Sequence, residues 1–299
     1  MVFALTALID ANAQQDPHYT QYMYNLSVIN PAYAGSKESV SGGLLYRKQW
    51  VDIEDAPTTG TFFLHSPVGR NVGLGISAIT DKIGPVEENN LFGDFSYTLN
   101  LGGEHRLALG LKAGVTFHRI DFNTIYPTLP DPQDGVFAGN NPSTTSFNLG
   151  TGIFYYTNKY YLSLSIPNML KTKYLDYTGT SYGSEVSHYF LTGGYVFDLT
   201  PNVKFKPFAM VKSSFNAPTS LDVSTNFLFN EKFEIGATYR LEDSFGAMVN
   251  YAITPSLRIG YAYDHIVSDL KVATPSSHEV ILLFDLNFPK KVSQSPRYF

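Results

Sequence analysis

Strict period-2 alternation, sustained over ten or more residues at a time, is the feature that most constrains this chain. Phe233, Ile235, Ala237, Tyr239 and Leu241 share one face of residues 231–242, and Lys232, Glu234, Gly236, Thr238, Arg240 and Glu242 share the other. Leu107, Leu109, Leu111, Ala113, Val115 and Phe117 likewise oppose Arg106, Ala108, Gly110, Lys112, Gly114 and Thr116. Neighbouring side chains of an extended strand point to opposite faces, so the pattern predicts long strands that are apolar on one side and polar on the other. Fourteen segments follow it: 38–49, 58–66, 71–82, 88–101, 104–121, 145–157, 159–166, 186–199, 202–214, 219–230, 232–242, 244–254, 256–265 and 278–288. Most reach or exceed the ~9–11 residues that a tilted strand needs to cross a bilayer. Strands of soluble domains average only about 5–6.

The connections sharpen this reading. After strands two, four, six, eight, ten and twelve the chain turns tightly, at 67–70, Gly102-Gly103, Asn158, Pro201, Glu231 and Pro255. After odd strands the loops are generally longer, at 50–57, 83–87, 122–144, 167–185 and 266–277, with shorter ones after strands nine and eleven. Short turns alternating with long loops over an even strand count is the layout of an outer-membrane barrel. The expected fold is therefore all-β: a transmembrane antiparallel β-barrel of about 14 strands with both termini periplasmic. Only closure satisfies every strand edge in lipid. A soluble β-sandwich would have shorter strands and more Lys and Glu on its polar face.

Composition then makes sense as an average over two faces. Only 16 % of the 299 residues are charged and 15 % are aromatic, yet the mean hydropathy is −0.09. Such aromatic content excludes a disordered chain. No apolar run approaches the ~18 residues of a spanning helix. A net charge of −5 leaves no basic stripe for nucleic acid. With no cysteine there are no disulfides, thiolate metal sites or lipoprotein anchor. Tyr46, Tyr155, Tyr156, Tyr160, Tyr161, Tyr189 and Tyr263 gather near strand ends, as expected of rings at a membrane–water boundary. Lys112, Lys204, Lys206, Lys212, Arg240 and Arg258 fall on the polar face with Asp94, Asp222, Glu234, Asp264 and Asp285. They either line a narrow pore or pair across the interior and close it.

The ends carry separate expectations. Residues 1–13 read as a signal peptide: an apolar stretch Val2–Ile9, then Ala11-Asn12-Ala13 as a small-residue cleavage site. The Lys or Arg expected at the front of such a peptide is missing, which leaves room for a start further upstream. Residues 14–37 then form a periplasmic N-terminal segment that plugs the barrel or docks a partner. The barrel covers 38–289 and a short tail 290–299, whose terminal Phe299 looks like a barrel-assembly signal.

Chemistry-bearing motifs are weak. Gly179-Thr180-Ser181-Tyr182-Gly183 matches a nucleophile elbow, but that chemistry needs a core strand before the serine and a helix after it. The seven histidines have no metal-ligand spacing. The clusters Asp52–Asp55 and Asp131–Asp134 lack calcium-loop spacing. No catalytic, cofactor-binding or metal residue is assigned, and a non-enzymatic role is expected.

Asp16-Pro17-His18-Tyr19-Thr20-Gln21-Tyr22-Met23-Tyr24-Asn25, followed by Asn30-Pro31-Ala32-Tyr33-Ala34-Gly35-Ser36, resembles the N-terminal signature of the PorP/SprF family. Further matching blocks are Arg47-Lys48-Gln49-Trp50, Ala56-Pro57-Thr58-Thr59, His65-Ser66-Pro67, Asp81-Lys82-Ile83-Gly84-Pro85, Tyr261-Ala262-Tyr263-Asp264 and Ser276-Ser277-His278-Glu279-Val280. The resemblance implies an outer-membrane barrel of the type IX secretion system. It would assist secretion of large cargo, or hold gliding adhesins at the surface by their C-terminal sorting domain. Implied partners are that cargo, periplasmic components of the same machine and outer-membrane lipid. Asn30, Pro31, Ala32, Tyr33, Gly35, Arg47, Gln49, Trp50, His278 and Glu279 are the motif residues and docking candidates. The alternative reading is a porin-like small-solute channel, which needs an open lumen.

Overall fold

The computed structural model describes residues 17–37, 39–121, 143–170, 173–177, 180–184, 187–214, 217–272, 274 and 276–286. The strands are β1 (Val40–Lys48), β2 (Thr58–Pro67), β3 (Val72–Ile83), β4 (Val86–Gly102), β5 (His105–Ile120), β6 (Ser143–Tyr156), β7 (Tyr160–Ile166), β8 (Lys173–Tyr177), β9 (Thr180–Ser184) and β10 (Tyr189–Tyr195). They continue as β11 (Phe197–Thr200), β12 (Val203–Ser214), β13 (Ala217–Phe229), β14 (Phe233–Arg240), β15 (Ser244–Thr254), β16 (Leu257–Ile266) and β17 (Ser276–Leu286).

Every neighbouring pair in the wall is antiparallel, and β1 closes it against β17 with Val40 opposite Leu286 and Lys48 opposite His278. β10 and β11 are one wall strand broken at Val196, both paired with β12. Counting them together, the wall is a closed barrel of fourteen strands, and each of the fourteen segments read from alternation lies in it. The extra strands β8 and β9 pair only with each other. This hairpin falls inside 167–185, where a plain loop is expected from the Gly, Ser and Tyr content. Thr180–Gly183 of the nucleophile-elbow match therefore lie in the hairpin strand β9, not at the strand-to-helix turn the chemistry needs.

The turns after the even wall strands lie at one rim, the turn end, and the long connections lie at the other, the loop end, together with a few short ones. At the turn end Gly102 and Gly103 both have positive φ, as do Asn230 and Glu231. Two such residues in succession give the hairpin turn whose twist matches that of the strands. One loop shrinks relative to expectation. Residues 83–87 hold only a two-residue turn, because Ile83 still pairs with Val86 and the strands run on past the apolar band. β4 and β5, at 17 and 16 residues, exceed what the membrane needs.

Alternation translates directly into wall chemistry. Leu74, Ile76, Leu91, Leu109, Leu111, Phe147 and Leu149 point outward and are exposed, while Asp94, Lys112, Thr116 and Asn148 point inward and are buried. An outward-facing run of rings follows the turn end, from His105 and Tyr155 through Tyr160, Tyr195, Phe197 and Phe205 to Phe227, with neighbouring centroids 4.2–6.1 Å apart. The boundary expectation fits Tyr155 and Tyr160. It does not fit Tyr156 and Tyr161, which are buried with Phe154 inside the barrel. The reason is phase: Tyr155 and Tyr156 are adjacent on one strand and must face opposite sides.

Candidate functional site

The interior is occupied by the chain's own N-terminal segment. Residues 19–34 are buried throughout. They include a 3-10 turn at Tyr22–Tyr24, a single helical turn α1 at Leu26–Ile29, and a second 3-10 turn at Pro31–Tyr33. Lys37 sits at the turn end, 3.8 Å from Asp285. His18 sits towards the loop end, 3.5 Å from Lys212 Nζ. The described part of the segment expected on the periplasmic side thus traverses the lumen.

Its second half is a ring laid around the turn half of the wall. Asn30 caps the last turn: its Oδ1 accepts from Ala32 N at 2.8 Å, with Pro31 at the first helical position, where a missing N–H costs nothing. The Asn30 amide also donates to Ile153 O at 3.0 Å and Ser163 Oγ at 2.6 Å. Ser96 Oγ donates to Ala34 O at 2.6 Å, and Gly35 N donates to His65 Nδ1 at 3.2 Å. Tyr33 stands edge-on to Phe154 and His65, at 5.2 and 5.3 Å. Three inward glycines make the fit possible; a Cβ on Gly73 would collide with the Ala34 carbonyl. A Cβ on Gly110 would collide with the Ala32 backbone, and one on Gly152 with the Asn30 amide. Gly35 itself has φ +74°, a conformation that favours glycine.

The first half, Pro17–Asn25, is a column tied mainly to β12–β17, with further contacts to Arg47 of β1, Thr61 of β2 and Phe190 of β10. The Glu279 carboxylate accepts from the backbone N–H groups of Thr20 and Gln21 at 2.8 and 2.9 Å. Thr20 Oγ1 donates to Asp264 at 2.6 Å and accepts from Arg47 at 2.7 Å. Arg47 bridges Asp264 and Glu279 at 2.8 and 3.3 Å. Arg240 holds Asp222 at 3.0 Å and donates to Tyr19 O at 2.7 Å. Lower down, Lys206 bridges Glu234 and the Tyr24 hydroxyl, each at 3.1 Å. Burial, then the positive charges of Lys212, Arg240 and Arg47, hold the His18 imidazole well below its usual pKa.

The lumen charges therefore pair rather than line an open bore. Lys112 meets Asp94 at 2.8 Å on the opposite arc. Lys204 differs: it pairs with Asp198 at 2.7 Å where both are accessible, at the turn end. Unpaired, these buried ions would each cost several kcal/mol of desolvation. Among the described residues, no group of three or more His, Asp or Glu side chains is arranged to hold a metal ion.

The structure distributes the motif residues over three places. Asn30, Pro31, Ala32, Tyr33 and Gly35 form the ring. Arg47 and Glu279 meet at the column. Gln49, Trp50 and His278 lie at the loop end: Gln49 N donates to Pro57 O at 2.9 Å and Trp50 N to Ser277 Oγ at 3.2 Å. His278 faces outward, 2.6 Å from the Tyr261 hydroxyl. The seats Gly110 and Gly152 and the partners Ser96 and Ser163 have no sequence signal of their own. The column contact Thr20 lies within the N-terminal signature.

A family model described as type IX secretion system membrane protein PorP/SprF matches residues 11–284. The chain belongs to that family. No curated protein sequence matches it. Among solved structures it is similar to the CymD monoaromatic hydrocarbon channel, at 12 % identity and TM-score 0.52 over 89 % of this chain and 92 % of that one. It is also similar to the toluene transporter TbuX of Ralstonia pickettii, at 14 % identity and TM-score 0.51 over 87 % and 92 %. A third is the outer-membrane protein Omp33 of Acinetobacter baumannii, at 10 % identity and TM-score 0.50 over 84 % and 100 %. Identities this low carry the fold alone: an outer-membrane β-barrel. Fold and family together make this PorP/SprF member an outer-membrane protein of the type IX secretion system.

Proposed function

We propose that this barrel is a non-enzymatic holder of large secreted cargo, gripping adhesin-type proteins by their C-terminal sorting domain at the loop end. Family membership supports the cargo class. The observation that carries the reading is the filled lumen: a barrel occupied by its own residues 19–34 presents rims and loops, not a standing bore, to partners. The hairpin β8–β9 and the loop Gln49–Pro57, with exposed Asp52, Glu54 and Asp55, are the surfaces offered to cargo. The turn end faces the periplasmic components, and residues 1–13 are the cleaved signal; these residues, like 290–299 and most of 122–144, lie outside those described.

The test is recovery of the full chain from native membranes. A large surface protein retained through its C-terminus supports the holder, and recovery alone with steady ion conduction overturns it. Deletion of 173–184 is expected to release cargo from the surface while the barrel keeps its heat-dependent gel shift. Retention of cargo by that folded variant would remove the hairpin from the grip.

A further inference from the structure

The wall of the lumen has two unlike arcs. β5–β7 present Ala108, Gly110, Phe154, Tyr156 and Tyr161 inward, and the ring nests on them, while Phe190 of β10 stands beside Tyr22 of the column. β13–β16 present Asp222, Asn226, Glu234, Arg240, Asn250 and Asp264, with Leu228, Met248 and Ala262 among them, and the column lies against this arc. Beneath the column, at the turn end, lies a cavity of about 590 Å³ lined by Tyr24, Lys37, Lys206, Glu234, Arg258 and Asp285. Tyr24, the foot of the column, is part of its roof.

We propose that Pro17–Tyr24 is a detachable stopper: when it leaves the wall, while the ring stays seated, a polar conduit joins this cavity to the loop end. The inference concerns passage through the lumen and does not rest on the holding of cargo. Three observations carry it.

First, a continuous line of polar side chains runs along the uncovered route, with Leu228, Met248 and Ile281 beside it. Glu234 and Lys206 line the cavity, Asn226 and Asn250 follow, then Asp222, Arg240, Asp264, Arg47 and Glu279. The acids and bases on it are already paired within the wall, Arg47 with Asp264 and Glu279, Arg240 with Asp222, Lys206 with Glu234. Departure of the column therefore strands no lone charge. Second, the seam between column and wall is incompletely bonded. Both polar atoms of the Gln21, Asn25 and Asn250 amides are buried without a hydrogen-bond partner, a state that water entering the seam would relieve. Third, the polar holds on the column are discrete: Glu279 on two backbone N–H groups, Arg240 on one carbonyl, Asp264 and Arg47 on the Thr20 hydroxyl, Thr61 on the Tyr19 hydroxyl and Lys206 on the Tyr24 hydroxyl. The balance of signs on the route suits small hydrophilic solutes of either charge.

The chain has no cysteine, so single cysteines report cleanly. Asn250→Cys lies on the route and Ala108→Cys behind the ring. Thr20→Pro removes the N–H given to Glu279 and the hydroxyl given to Asp264. Planar-bilayer conductance and labelling by a charged thiol reagent are measured on the full chain, in samples whose gel shift shows a folded barrel. Thr20→Val, which keeps the backbone N–H, is run in parallel as the milder variant. Loss of hydrogen bonds to charged groups is expected to raise conductance and Asn250→Cys labelling about tenfold or more in Thr20→Pro, and less in Thr20→Val. Ala108→Cys is expected to stay protected in both. Unchanged conductance and labelling in folded barrels of both variants overturns the proposal. So does labelling of Ala108→Cys together with Asn250→Cys, which would mean that the whole segment leaves.

Discussion

Two stretches of one short segment, the ring Asn30–Gly35 and the column Pro17–Asn25, occupy the same lumen by different physics. The ring is held by shape. Its one buried amide, Asn30, has both atoms satisfied, glycines in the wall admit its backbone, and Tyr33 is wedged between rings. The column packs Tyr19, Tyr22, Met23 and Tyr24 into the same apolar cluster but takes most of its polar holds from charged side chains, and its amides are unpaired. Shape contacts are many and individually weak, so they yield only together. Point charges are few and individually strong, so each can be released. A plug with one end of each kind has a fixed part and a movable one.

The comparison is broken most severely at Arg47. Arg47→Ala leaves Asp264 and Glu279 buried without a counter-ion, a loss of about 3–5 kcal/mol. It is expected to lower the urea midpoint of the folded gel band and free the column, with Ala108→Cys still unlabelled. Gly110→Val attacks the ring instead. The added side chain meets the Ala32 backbone, and overpacking of this kind costs about 1–3 kcal/mol. The same titration should show the loss, now with Ala108→Cys exposed.

A pair of substitutions sharpens the contrast further. Asn30→Leu leaves Ala32 N and Ile153 O without their partner and should destabilise by about 1–3 kcal/mol. Gln21→Leu removes an amide that has no partner and should be neutral or slightly stabilising. Equal destabilisation by both in the urea titration would erase the distinction between the two stretches. The smallest effect is that of acid. The folded protein holds His18 neutral, its pKa depressed by burial and neighbouring cations, whereas the unfolded residue takes a proton near pH 6.5. Stability is therefore complete above about pH 6.5 and falls as the pH drops below it. His18→Gln should flatten that slope between pH 7 and 5.

Much of the wall was legible because its code is local. A period of two, turn residues at one rim and loops at the other depend only on neighbours in sequence, and lipid on one side enforces them. The departures have local causes too. β3 and β4 run on past the bilayer because nothing stops Ile83 pairing with Val86. Val196 breaks a strand inside an otherwise continuous pattern, with no signal in its neighbours. The family blocks were legible as well, but not what they do: Asn30 and Gly152, or Thr20 and Glu279, are too far apart in sequence for any period to relate them.

The sequence by itself determined a fourteen-strand wall, its two faces and the family, since alternation and motif are properties of contiguous residues. Only the tertiary structure decided what fills the wall. Whether Lys206, Arg240 and Arg47 line a bore or close one depends on which carboxylates and which N-terminal residues the closed barrel brings within 3 Å or so of them, and closure is a property of the whole chain.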